Sequence, residues 1–404
     1  MVKSTFFTGQ PIFNQLLQLV PRSVVMRIAR KHQADRYCKR FNSYDHLLTM
    51  LYSVFNNCNS LRELTTGMLV WDNRLSHIGM KHFPRRSTIS DAGKRRNAEV
   101  FEDIYYELYQ KYQVFLSDSR KKSKDSKLYI FDSTTISLFQ EILRAAGLSK
   151  SDGKRKGGIK VHTLIRSDQD VPCMIKMSAS AANDVKFLKD INLPKGSVIV
   201  FDKGYKDYRT YNRFSDQSIT WVTRLRHRTS YSVDADRPIK ETHQKQGVIS
   251  DKEVILGHNH NNKSVKVKAR LVSYVDAQSG KKFEFLTNNF RMSPLTVAEI
   301  YKRRWQIEVL FKRLKQNYPL KYFLGDNENA IKIQIWCTLI ADLLLKIIKK
   351  SNNAKLSFSN LASLVRIHLM TYINLSEFIR SPEKSLLEKM RREQQNNEGL
   401  LFKT

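Results

Sequence analysis

Three carboxylates occupy segments that a fold can bring together: Asp132 in YIFDS, Asp202 in VIVFDKGY and Glu308 in YKRRWQIEVLFKRLKQ. Each aspartate closes a run of β-formers, and the glutamate sits among cations on an expected helix. Oxygen ligands from distant segments suit a hard divalent cation, and the surrounding cations suit phosphates. The chemistry this predicts is phosphoryl transfer on a nucleic acid. Two Mg²⁺ ions about 4 Å apart would activate a water or a DNA 3′-hydroxyl on one side of a phosphate and stabilise the leaving oxygen on the other. Each carboxylate alone has an ordinary alternative. Asp often caps the turn after a strand, and a Glu308–Lys312 pair at i,i+4 contributes only about 0.2–0.5 kcal/mol. The combination carries the reading.

Counting about 100° per residue from Tyr301, Arg304 falls near about 300°, Glu308 near about 340° and Lys315 near about 320°. The four are therefore expected on one narrow stripe of a single helix. Ile307, Leu310 and Leu314 fall on a separate face that packs against a sheet. From Tyr301 to Phe323 Glu308 is the only carboxylate, set against Lys302, Arg303, Arg304, Lys312, Arg313, Lys315 and Lys321. In this arrangement Arg304 and Lys315 hold phosphates flanking the scissile one, and Tyr301 donates a hydrogen bond or stacks.

Composition points the same way. The 404 residues carry 70 Lys+Arg against 38 Asp+Glu, a net charge of +32, and so large a surplus calls for a polyanionic partner. A membrane is not expected: no stretch reaches the roughly 18 apolar residues of a span. The best run, Ile335 to Leu345, is broken by Asp342, and the N-terminus lacks a signal-peptide pattern. Cys38, Cys58, Cys173 and Cys337 are scattered without a CxxC pair, against both a zinc knuckle and a disulfide framework. A reduced, cytoplasmic compartment is expected.

The elements that must position the carboxylates follow from periodicity. Residues 1–118 read as a helical DNA-binding domain. Ile12, Phe13, Leu16, Leu17 and Val20 form a helical stripe, Ser43 caps a second helix, and Ser60 with Glu63 makes a capping box for a third. Ser87 is expected to cap a helix displaying Lys94, Arg95 and Arg96, with Arg85 and Arg86 ahead of it; this is either a major-groove reader or a solvated basic face. Residues 119–127 form a basic linker. Residues 128–225 then turn to strand-length runs, three early ones, a crossover helix near 184–191 and two more, which predicts a mixed α/β sheet. Functional residues gather at the carboxyl ends of such strands. Residues 226–290 alternate as a β-rich insertion, 291–350 return to helix as the second part of the core, and 351–404 are C-terminal helices, a candidate dimerisation element.

Tyr301, Arg304, Glu308 and Lys315 reproduce the Y-x2-R-x3-E-x6-K signature, and FDKGY resembles the second-aspartate motif, of the IS4 family of bacterial insertion-sequence transposases. The resemblance spans roughly Leu128 to Ile348. It implies an RNase H-like α/β core with a mixed sheet, interrupted by a β-rich insertion and preceded by an all-helical domain. It further implies that Asp132, Asp202 and Glu308 are the catalytic and metal-binding triad, with two Mg²⁺ ions for which Mn²⁺ can substitute. Tyr301, Arg304 and Lys315, with Lys312 and Arg303 beside them, are the implied DNA contacts. The partners implied are double-stranded DNA, as transposon ends and target, and a second copy of the chain in a homodimer, in the bacterial cytoplasm at the nucleoid. The implied reaction is cut-and-paste transposition through a hairpin. One departure stands out: relatives stack a flipped base on a Trp in the β insertion, whereas the tryptophans here are Trp71, Trp221, Trp305 and Trp336. Phe283, Phe285, Phe290 and Tyr274 are the candidate replacements. The rival readings are a non-catalytic DNA-binding derivative and a stand-alone RNase H-like nuclease.

Overall fold

The computed structural model describes residues 9–69, 72–117, 127–137, 158–179, 185–260 and 263–383, with Leu387 and Arg391. The expected basic linker, apart from Lys127, lies outside them. The described residues form two compact units: those up to Leu116 and from Lys312 onward make one, and those from Ser117 to Phe311 the other. The chain therefore divides at Lys312, within a helix, and not at the boundary expected at 350.

The first unit is helical. Its N-terminal part contains α1 (Ile12–Leu17), α2 (Arg22–Lys31), α3 (Ser43–Asn56), α4 (Leu61–Leu69), a 3₁₀ turn (Asp72–Ile78), α5 (Arg86–Arg95) and α6 (Glu99–Leu116). Pro11 and Pro21 immediately precede α1 and α2, where a missing N–H costs nothing. The cap of α3 is Asn42 and not Ser43: its side chain accepts from the Asp45 amide while Asp45 accepts from the Asn42 amide. Ser60 does accept from the Glu63 amide, but Glu63 reaches back to the amide of Asn59. Helix α5 starts one residue before the expected cap Ser87, with Arg85 at its N-cap.

The same unit is completed from the far end of the chain by α12 (Glu328–Ser351), α13 (Phe358–Ile367) and α14 (Leu375–Arg380). Helix α12 is buried on nearly every side and packs against α3, α5 and α6. Asp342, which interrupts its apolar run, is 2 % exposed and takes two hydrogen bonds from the Arg313 guanidinium, at 2.8 and 3.1 Å. The charge is thus matched inside a protein core, and no described helix is long and apolar enough to cross a membrane.

The second unit is built on one nine-stranded sheet. Its strands are β1 (Leu128–Ser137), β2 (Gly158–Arg166), β3 (Pro172–Ala179), β4 (Val198–Phe201), β5 (Thr220–Arg224), β6 (Tyr231–Asp236), β7 (Val248–His260), β8 (Lys263–Val275) and β9 (Lys282–Thr287), in the order β3-β2-β1-β4-β5-β9-β8-β7-β6. β1, β2 and β3 are antiparallel neighbours, whereas β1–β4 and β4–β5 are parallel. Parallel pairs need crossovers, and α7 (Val185–Asp190) and α8 (Tyr208–Asp216) lie between β3 and β4 and between β4 and β5. This half of the sheet is the RNase H-like arrangement. The apolar runs LYIF and VIVF become its central strands, with Phe131, Phe201, Ile199 and Val200 fully buried. Phe131, Phe187, Tyr211 and Trp221 anchor the core, the last two stacked at 4.6 Å.

The segment expected as a β-rich insertion is made of β6 to β9, which continue the sheet. β9 pairs antiparallel with β5, and β8, β7 and β6 extend the same sheet outward, with the short α9 (Glu241–Lys245) between β6 and β7. After β9 the chain enters α10 (Pro294–Arg303), whose cap Ser293 accepts from the Thr296 amide and whose first residue is proline. Helix α11 (Trp305–Asn317) follows at once, beginning in this unit and ending in the helical one.

Candidate active site

The parallel pairing of β1 and β4 sets Phe131 opposite Phe201, so the next residues, Asp132 and Asp202, lie side by side where that pairing stops. Asp202 follows the end of β4, whereas Asp132 does not close its strand as expected, since β1 runs on to Ser137 paired with β2. Asp202 ends its strand because a turn follows, closed by a hydrogen bond from the Tyr205 amide to the Asp202 carbonyl at 3.1 Å. That turn returns Tyr205 to the first aspartate. Its hydroxyl donates to Ser133 Oγ at 2.9 Å and lies 3.4 Å from Asp132 Oδ1, while its ring packs on Phe131 at 4.7 Å. The Ser133 amide donates to the same Oδ1 at 2.8 Å.

The third carboxylate arrives differently from the single-helix expectation. Residues 301–315 do not form one helix: α10 ends at Arg303 and α11 begins at Trp305. Around Arg304 the backbone tightens to i→i−3 bonds, Arg304 N to Tyr301 O at 3.0 Å and Ile307 N to Arg304 O at 3.2 Å. Tyr301 is therefore separated from Glu308 and Lys315 by a tightened turn at Arg304, whose own backbone keeps right-handed helical angles. The break instead gives neighbouring residues different targets. The Tyr301 hydroxyl donates to Asp202 Oδ1 at 3.1 Å. The Arg304 guanidinium spans two carboxylates, donating to Asp132 Oδ2 at 3.1 Å and to Glu308 Oε1 at 2.5 Å. The i,i+4 partner of Glu308 is thus Arg304, one turn before it, and not Lys312. Ile307, Leu310 and Leu314 are buried as expected.

Like charges in a buried place shape the electrostatics. Burial pushes the Asp132 carboxyl up to about 6 from 3.8; Asp202 and Glu308 push it the same way, while the Ser133 amide and Arg304 oppose. Burial likewise pushes the Tyr301 phenol up to about 12, assisted by the charge of Asp202, so at neutral pH it is a donor. Tyr301 is 8 % exposed and packs on Phe285 at 5.0 Å.

Among the described residues, no three His, Cys, Asp or Glu side chains are gathered closely enough to grip an ion as placed. Arg304 stands between Asp132 and Glu308, and its own Nε is buried without a partner. The donor set nevertheless fits a hard divalent cation. Every candidate ligand atom is a carboxylate oxygen, and burial, with the charges of Asp202 and Glu308 adding to it, raises the Asp132 carboxyl, a cost that a bound cation would offset.

The remaining residues expected at the site are dispersed. Lys312 and Lys315 are exposed on the second half of α11, past the division between the units, and Arg303 is half-buried at the end of α10. Of the candidate stacking aromatics, Phe285 is 3 % exposed and committed to Tyr301, while Phe283 stacks on it at 5.9 Å; Tyr274 and Phe290 are half-buried. The sequence reading missed three residues. Tyr205 was visible only as the last letter of FDKGY. Arg224, at the end of β5, lies over the rings of Phe283 and Tyr301 at 5.1 and 6.0 Å. Trp305 follows Arg304 in the chain and is 62 % exposed, a large aromatic face left in water.

A sequence model described as "Domain of unknown function (DUF4372)" matches residues 8–81. The protein named "Putative transposase y4zB" from Sinorhizobium fredii is 27% identical over 282 residues, 70% of this chain and 76% of its own length. "Putative transposase for insertion sequence element IS4SA" from Synechocystis is 29% identical over 268 residues, 65% and 71% of the two chains. A solved structure, the piggyBac transposase synaptic complex with hairpin DNA, aligns with a TM-score of 0.45 and 10% identity over 93% of this chain and 82% of that one. A model described as "Transposase DDE domain" matches residues 123–344, more than half of the sequence, and the chain belongs to that family of transposases.

Proposed function

We propose that this DNA transposase is of the IS4 type, and that as a dimer it binds the terminal inverted repeats of its insertion sequence, cuts them and joins the ends to target DNA. The observation that carries the reading is the meeting of Asp132, Asp202 and Glu308 from three separate segments: Arg304 bridges Asp132 and Glu308, and the Tyr301 hydroxyl holds Asp202, whose charge bears on Asp132. Two divalent ions held by these carboxylates, Mg²⁺ or in its place Mn²⁺, would supply an activated water or 3′-hydroxyl and stabilise the leaving oxygen.

The chain's own residues have separable tasks in this scheme. Tyr205 and the Ser133 amide fix the rotamer of Asp132, and Tyr301 fixes that of Asp202, so two carboxylates are oriented before substrate arrives. Arg304 neutralises Asp132 and Glu308 until its fork, with Nε still unused, turns to a DNA phosphate. Lys315, Lys312 and Arg303 contact the backbone of the bound end. Trp305 offers the exposed face on which a base stacks, the role for which the 226–290 segment has no tryptophan. A hairpin intermediate, a helical N-terminal domain that binds DNA and a cytoplasmic site of action at the nucleoid complete the proposal.

The test is nicking of duplex DNA carrying the element's terminal repeats. Asp132→Asn, Asp202→Asn and Glu308→Gln should each abolish Mg²⁺-dependent nicking while end binding survives in a gel-shift assay. Full cleavage by all three variants would refute the assignment.

A further inference from the structure

Exposed positive charge without a counter-charge gathers at one place in the helical unit. The turn between α2 and α3 contains Arg36-Tyr37-Cys38-Lys39-Arg40, of which Arg36, Lys39 and Arg40 are exposed, as are Lys94 and Arg95 at the end of α5. Arg96 ties the two stretches together. It was expected on the exposed face of α5, yet it is 5 % exposed. Its guanidinium donates to Asp35 Oδ1 at 3.2 and 3.3 Å, to Cys38 Sγ at 3.3 Å and to the Phe41 carbonyl. Asp35, the carboxylate in that turn, is therefore engaged with Arg96 and with the Ser43 hydroxyl, which donates to it at 2.8 Å.

Among the described residues, none of the five exposed cations has an acid within ion-pair distance. Their neighbours do: Arg27 and Lys31 of α2 pair with Glu107 and Asp103. The protein thus matches the flanking charges and leaves this group bare, at a cost in self-repulsion that a polyanion removes. Tyr37 adds an independent sign. It is 86 % exposed, with the Arg36 guanidinium 5.0 Å from its ring, and its φ of 60° lies in the left-handed region that costs a non-glycine residue about 1 kcal/mol or more. The turn pinned by Arg96 holds that ring out in water.

We infer that the 36–40 turn and the Lys94–Arg95 end of α5 form a docking surface for the backbone of double-stranded DNA, with the cations on phosphates and the Tyr37 ring on a sugar or base edge. This rests on the reading of the chain as a DNA-binding transposase, and it gives a binding role to part of the segment matched only to a domain of unknown function. It also moves the DNA surface of the helical unit away from α5 as a groove-reading helix, toward contact through a turn and one helix end.

The test uses the full chain and two labelled duplexes, one from the terminus of the insertion sequence that carries the gene and one of random sequence, in anisotropy titrations across a range of KCl. Lys39→Glu with Arg40→Glu should weaken binding to both duplexes by about 10- to 100-fold at 0.15 M salt and reduce the salt slope by about 2, the loss of two phosphate contacts. Lys94→Glu with Arg95→Glu should act alike. Tyr37→Ala should weaken binding several-fold without changing the slope. Thermal melting should stay at the wild-type value in the charge variants, since the replaced side chains have no ion-pair partner to lose. Wild-type affinity and slope in both charge pairs would overturn this inference alone. Failure of the wild-type chain to bind either duplex would overturn the transposase reading with it.

Discussion

Replacing Asp132 by Asn should abolish cleavage and at the same time stabilise the metal-free protein. The side chain is 18 % exposed, and burial with the nearby Asp202 and Glu308 charges lifts its carboxyl from 3.8 to about 6. At about 1.36 kcal/mol per pH unit, that rise corresponds to about 3 kcal/mol of destabilisation of the ionised form. The folded value lies above the unfolded one. The stability tied to the protonated form is therefore complete below pH 3.8, declines as pH rises to about 6, and is absent at neutral pH. Asn removes the charge but has one acceptor where Asp132 uses two, on the Ser133 amide and on Arg304, a loss of about 1 kcal/mol. The net gain is about 2 kcal/mol, or about 4–8 °C in melting temperature for a unit of this size. Thermal melts of both proteins in EDTA, at pH 7.5 and pH 5, measure it. The gap should narrow at pH 5, where Asp132 is itself mostly protonated, and added Mg²⁺ should raise the wild-type midpoint far more than the variant's. An Asn variant that melts at or below wild type at pH 7.5, with the same gap at pH 5, would refute the argument that this carboxylate is held at an electrostatic cost.

Arg304→Ala should lower the metal-free stability at pH 8 by on the order of 2 kcal/mol, because Asp132 and Glu308 then face each other without the shared cation; Mg²⁺ should restore most of it, and equal melts with and without Mg²⁺ would count against the bridge. Tyr205→Phe should leave melting nearly unchanged but raise the metal concentration for half-maximal nicking about fivefold, the equivalent of one lost hydrogen bond of about 1 kcal/mol; an unchanged metal titration would reduce Tyr205 to a packing residue. Arg313→Met should cost about 3–5 kcal/mol by stranding Asp342 in the core of the helical unit, and Arg313→Met combined with Asp342→Leu should recover much of that in denaturant titrations.

What could be read in the sequence was local or doubly buried. LYIF and VIVF announce central strands because both faces are covered, and an aspartate ending each such run then falls on adjacent strands once they pair in parallel. Cap positions came out a residue or so off, at Asn42 for Ser43 and at Arg85 for Ser87, since several neighbouring residues can serve as caps. The break at Arg304 was invisible to residue counting. Arg, Lys, Trp and Gln all continue a helix, and the turn accompanies contacts with Asp202 and Asp132, about 100 and 170 residues earlier, that propensity does not register. For the same reason the alternating segments after 226 were legible as strands but not as an outward continuation of the catalytic sheet. Which edge a strand joins is decided by a partner far along the chain. Arg96 is the converse case: by composition it belongs with Lys94 and Arg95, and only the structure separates the buried pin from the exposed charges.

The junction at β5 and β9 has a consequence for how this chain can vary. Arg224 pairs with Phe285, and the Leu225 amide bonds to the Glu284 carbonyl at 2.8 Å, so the chain leaves and rejoins the sheet at neighbouring positions. Closing a detour whose ends already touch costs free energy that grows only as the logarithm of its length. The turns between the strands of 226–283 can therefore be lengthened during evolution while the strands stay anchored in the core through Val254, Leu256, Val267, Ala269 and Leu271, Phe285 still supports Tyr301, and Tyr301 still reaches Asp202. The turns of these hairpins, and not their strands, are where this part of the enzyme is free to diverge between elements that move different DNA.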